Sequence, residues 1–221
     1  MVTSATSVPT ASGSRMGSAG NRRLFLGGAG FAGLFLGGMG LAGLLGTGVY
    51  PSPLDSEAAA ASYFAANGSA VLAQGVAHLF AGVALAVFAS ALGNGRASAV
   101  GWARVAGWAA AVAVAVSGLV NATIAVLGTT GDSLHTLHYL SFLAGGQIHV
   151  PLLGVLVAAG ARAYAGSTPR WTTVPGVVAA VLAVLSLVSF AIEDALLLLP
   201  LGRFTSILWI VITVVRARPR K

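Results

Sequence analysis

The chain has 221 residues, of which 57% are hydrophobic and 8% charged; the formal net charge is +7 and the mean hydropathy +0.89. That mix excludes an ordinary soluble domain, and because the basic residues gather at the ends of apolar runs, topology explains them better than nucleic-acid binding does. With no cysteine in the chain, disulfides, thiolate metal sites and cysteine nucleophiles are excluded.

Residues 1–21 are rich in Ser, Thr, Gly and Ala without periodicity and read as a disordered tail. Arg22-Arg23-Leu24-Phe25-Leu26 then resembles the core of a twin-arginine export signal, although Asn21 and Gly27 depart from its usual flanks. The apolar run to Val49 is long for a signal peptide and more such runs follow. Arg22 and Arg23 are therefore expected to hold the start of a first span, residues 24–49, in the cytoplasm. Gly30, Gly33, Gly37 and Gly40 line up along this span at helical spacing, a groove that lets another helix approach closely. A leucine at Gly37 is expected to push the helices apart.

Residues 50–66 contain Pro51, Pro53, Asp55 and Glu57 and read as a solvated turn with room for a short interfacial helix. A second span, residues 67–92, carries Gln74 and His78 one turn apart on one face. After a link at 93–104, with Trp102 and Trp108 suited to an interfacial belt, a third span over 105–127 brings Ser117 and Asn121 near its far end.

The fourth span, residues 135–161, begins in the densest polar stretch of the chain. Three of the four histidines, His135, His138 and His149, fall here. His138 and His149 are separated by a net turn of about 20° and share one helix face about 16 Å apart. Pro151 lies inside this span, and its ring is expected to free the carbonyl of Gln147 from the helix ladder. Pro175 suits the first turn of a fifth span at 174–192. Glu193 and Asp194 follow, then a last span at 196–215 interrupted by Pro200 and Arg203, and a basic end at 216–221.

These runs, each about the length needed to cross a bilayer, make an all-α bundle of six transmembrane helices. With a cytoplasmic N-terminus, Arg15, Arg22, Arg23, Arg96, Arg104, Arg162, Arg170, Arg216, Arg218, Arg220 and Lys221 fall inside and only Arg203 outside. Asp55, Glu57, Asp132, Glu193 and Asp194 all fall outside, an independent support for the same loops. The expectation is an inner-membrane protein with both termini cytoplasmic: a tail at 1–21, a transmembrane domain at 22–215 and a basic tail at 216–221.

Two constellations could carry chemistry. His78 and His149 each lie roughly 16 to 20 Å deep, where ionisable groups are usually functional or paired. With Gln74, Asn121 and Gln147 they would line a polar ligand cavity, or ligate a b-type haem between the second and fourth spans, or bond the helices together. Asp132, His135 and His138 follow at three-residue spacing, a pattern able to bind Zn²⁺ or Cu²⁺. No Gly-x-Ser-x-Gly, His-Glu-x-x-His or phosphate-binding loop occurs, so no catalytic residue is expected. Beyond the lipid bilayer, the expected partner is another helix or a second copy docked on Gly30, Gly33, Gly37 and Gly40; no nucleic acid is expected.

Leu198-Leu199-Pro200-Leu201-Gly202-Arg203-Phe204 leads into a Trp-containing last helix and the basic end. With this span layout the chain resembles small six-span integral membrane proteins of high-GC bacteria, a group without an assigned activity. The resemblance implies a helical bundle and carries over no site residue. The functions left open are a small transporter or ligand-binding bundle, a membrane redox protein, and a structural or accessory subunit.

Overall fold

The structure is a computed structural model and describes residues 18–93, 97–165 and 170–216. The expected tail at 1–17 and the basic end at 217–221 lie outside the described residues. Eight α-helices follow in order: α1 Ser18–Leu45, α2 Glu57–Ala66, α3 Gly68–Ala91, α4 Ala97–Leu127, α5 Gly131–Phe142, α6 His149–Ala163, α7 Arg170–Leu185 and α8 Leu198–Arg216. A π-helical segment, Leu143–Ile148, fuses α5 to α6. Among the described residues there are six helical stretches long and apolar enough to cross a bilayer. A helix satisfies every backbone polar group internally, the condition for such a stretch to cross hydrocarbon.

The six spans close into a ring. α1 packs on α3 and on α8, and between them α3 meets α4, α4 meets α6, α6 meets α7 and α7 meets α8. The core runs through all six, from Phe31 and Phe35 through Leu85, Phe88, Val114, Leu153, Leu156 and Ala179 to Ile210. Without a hydrophobic driving force between helices in lipid, small residues bring them together. A Cβ on Gly75 would lie 2.7 Å from the carbonyl oxygen of Gly118, and one on Gly118 would lie 2.7 Å from the backbone nitrogen of Leu79. That crossing of α3 and α4 seats His78 against the far half of α4.

The connections at one end carry Asp55, Glu57, Asp132 and Asp194; the helix ends opposite carry Arg22, Arg23, Arg104, Arg162, Arg170 and Arg216. At the acidic end Ser56 caps α2 by accepting from the Ala59 N–H, 3.2 Å. Asn67 pins the α1 end through the Thr47 N–H, 2.7 Å, and donates to the Tyr63 carbonyl, 2.9 Å. At the basic end Arg104 donates to the Leu92 carbonyl, a cation on the last carbonyls of α3.

Several sequence expectations move. α1 begins at Ser18, inside the expected tail, and α4 begins at Ala97, so most of the expected 93–104 link is helix. Pro175 is the sixth residue of α7 and lies inside that helix. Pro200, by contrast, is the third residue of α8, within the first turn, where backbone N–H groups have no helical partner, so it interrupts nothing. The glycine groove also turns over. A Cβ at Gly33, Gly37 or Gly40 would meet nothing within 4 Å and one at Gly30 only the Ala84 methyl, whereas Gly27, Gly28 and Gly38 press against α3 and α8. The physical reason is the helix period: Phe35 points inward, and Gly37, turned about 200° from it, points outward.

Candidate functional site

A cavity of about 370 Å³ opens among α3, α4, α5, the π-helical segment and α8 in the acidic half of the bundle. α3 contributes Gln74 and His78, α4 Ser117 and Asn121, α5 Ser141, and α8 Arg203; Tyr50, Pro51 and Ser52 from the α1–α2 loop form its rim. Leu196, Leu199, Pro200 and Phe142 make an apolar wall.

The polar groups are wired to one another. The Tyr50 hydroxyl and the Ser141 hydroxyl both donate to the Asn121 amide oxygen, at 3.0 and 2.9 Å, which occupies both of its lone pairs. Ser117 and Ser141 bond through their hydroxyls at 3.1 Å, which is possible because Gly145 has no Cβ to strike Ser117. The rim is held separately. His138, 1% exposed, donates from Nε2 to the Pro51 carbonyl, 3.1 Å, with its ring edge-on to Tyr50 and Phe64. Burial pushes the Tyr50 phenol above its ordinary range, so it stays a donor to Asn121.

Phe35 sits at the inner end. His78 stacks on it with ring centroids 4.7 Å apart, His149 lies near-parallel at 6.3 Å, and the Arg203 guanidinium carbon stands 5.3 Å from the ring centre. Arg203 also donates to the Gly145 carbonyl, within the π-helical segment. There the His149 N–H reaches back to Ala144, so the regular four-residue ladder is broken just ahead of Pro151. The free acceptor used is thus Gly145 rather than the expected Gln147, and π-bulges recur at functional sites.

Of the five expected cavity residues, Gln74, His78 and Asn121 line the cavity and two do not. Gln147 donates to the Ser189 carbonyl at 3.3 Å, tying the π segment to the turn after α7. His149 donates from Nδ1 to the Ala110 carbonyl at 2.9 Å and is 0% exposed, so no water-sized space borders it. The shared His78–His149 site is therefore corrected: Phe31 and Phe35 pack against His149, and a haem ligated by both rings would have to displace them. The expected metal group is separated too. Asp132 and His135 are exposed while His138 turns inward, and among the described residues no three His, Asp or Glu side chains gather to hold an ion. Arg203 turns inward, where its partners are the Gly145 carbonyl and the Phe35 ring.

Sequence reasoning missed Phe35, Ser141, Tyr50 and the inward turn of Arg203. For Arg203 a signal existed: Leu199, Ser206, Ile207 and Ile210, at helical spacings from it, are all buried. No protein-family model, curated protein or solved structure matches the chain.

Proposed function

We propose that this multi-pass membrane protein is a small ligand-binding or transporter-like bundle whose cavity opens on the non-cytoplasmic side of an inner membrane, with both termini in the cytoplasm. The observation that carries the reading is the cavity itself: a hydrogen-bonded polar lining reaching from the rim to His78 within a bundle whose core is largely apolar. Intramembrane polar residues that face a cavity mark substrate pathways, and the volume lies in the range of small-molecule sites. The segregation of charge between the two ends supports the orientation. The test is thermal stability of the purified chain against small solutes of each charge sign. Gly146 borders the cavity and a Cβ there meets only ordinary contacts, Leu199 at 3.6 Å, so Gly146→Leu fills the space without forcing the backbone. A solute that stabilises the wild type and not this variant supports the reading; equal stabilisation of both, or none by any solute, refutes it.

A second role, docking of another membrane helix or of a second copy, is favoured by the outward face of α1, where Gly33, Gly37 and Gly40 leave the backbone uncovered.

A further inference from the structure

We propose that the cavity selects a small monocarboxylate, whose carboxylate is bound by Arg203 and whose hydrocarbon part lies on the Leu196–Leu199 wall. The inference rests on the ligand-binding reading above and goes beyond it in naming the ligand's charge and shape.

A guanidinium drawn into a membrane bundle is costly unless paired, yet the part-buried Arg203 meets the neutral Gly145 carbonyl and the face of Phe35. Its Nε is buried with no hydrogen-bond partner, and so are both nitrogens of His78, a side chain only 6% exposed that borders the same cavity. Such orphaned polar atoms are rare in folded proteins and call for a partner. The described acids of this end, Asp55, Glu57, Asp132 and Asp194, do not line the cavity. An anion entering the cavity would supply the counter-charge.

Its form follows from the remaining walls. A guanidinium offers a planar fork that matches a carboxylate. One cation balances one negative charge, and the other polar groups, Gln74, Ser117, Asn121 and Ser141, are neutral; a dianion would leave a second charge buried without a partner. Leucine, proline and phenylalanine side chains in the same lining give an alkyl chain a dry surface.

Calorimetric titration of the purified full chain in detergent tests this, with butyrate as the probe, butyramide as its neutral isostere and inorganic phosphate as the alternative anion. The wild type is expected to bind butyrate in preference to both. Arg203→Gln should weaken butyrate by roughly tenfold to a hundredfold, the weight of a hydrogen bond to a charged group, and leave butyramide unchanged. If Arg203→Gln does not fold, Arg203→Lys replaces it and should weaken butyrate in the same direction, because an ammonium lacks the fork. Equal binding of butyrate and butyramide, tighter binding of phosphate, unchanged butyrate affinity in a folded variant, or no butyrate binding each overturns the proposal. In every such case a neutral solute that stabilises the wild type but not Gly146→Leu leaves the ligand-binding reading standing, so the two failures are distinguishable.

Discussion

At the scale of single residues, the two deep histidines show how position in a sequence can agree while roles differ. His149 is a structural donor to the Ala110 carbonyl, whereas His78 has no partner for either nitrogen. Replacing a hydrogen-bonded imidazole by leucine removes a bond, while replacing an orphaned one removes only a desolvation cost. His149→Leu should therefore lower stability in detergent by about 1 kcal/mol, and His78→Leu should be neutral or stabilising. Differential scanning of the two variants checks this, and equal losses would contradict it. Tyr50 gives a pH-dependent counterpart. Burial raises its phenol above the ordinary value of 10.0, so the folded protein holds this proton to higher pH than the unfolded chain does. Its contribution is complete below pH 10.0 and is lost as pH climbs through the raised folded value. Tyr50→Phe should flatten the fall of melting temperature above that pH; an unchanged slope would assign the fall to other groups. From sequence, Gln74, His78 and Asn121 were legible as cavity residues because polar side chains in apolar runs are conspicuous. Phe35 was not, since an aromatic in a span announces nothing, and His138 misled because an imidazole next to His135 and Asp132 looks like a ligand until its ring is seen to hold a loop carbonyl.

For the helices as elements, the spans were legible from length and apolarity alone, but the facing of α1 was not. Its glycines form two stripes on opposite sides, and spacing does not say which one is packed. Leu24, Phe31 and Phe35 settle it, because large side chains cannot share the inner face with Gly33 and Gly37 across a 3.6-residue period. A Cβ on Gly38 would collide with the Ala77 methyl, while one on Gly37 meets nothing within 4 Å. Gly38→Leu should consequently lower the melting temperature sharply through overpacking, by about 1 to 3 kcal/mol, with Gly37→Leu near neutral for the single chain. If the outer stripe docks a second copy, Gly37→Leu should also shift the oligomer to monomer in size-exclusion light scattering. A Gly37→Leu chain as unstable as Gly38→Leu would reverse the assigned faces. The π segment before Pro151 was half legible: proline foretold a broken ladder, but which carbonyl is taken depends on where Arg203 arrives from α8.

Taken as a whole, the molecule is a closed ring in which α1 bridges α3 and α8, and the cavity exists because that closure brings Arg203 across to Phe35 and Gly145. Charge segregation, legible in the sequence, supports the proposed orientation. Reporter fusions after Lys221 and after Gly93 should both report cytoplasm, and a periplasmic signal from either would contradict the orientation. What the sequence did not yield was the meeting of residues from four α-helices and the π-helical segment, since no local pattern encodes which helices become neighbours. The most direct test of the hydrated cavity uses the absence of native cysteine, which makes single-cysteine labelling unambiguous. Gln74 lines the cavity and Val76, two residues on, is exposed on the bundle's exterior. A thiol reacts with a water-soluble maleimide as its thiolate, which needs water around it. Added outside intact cells, an impermeant maleimide should label Gln74→Cys and spare Val76→Cys; labelling of Val76→Cys alone, or of neither, would contradict a water-filled cavity at this position.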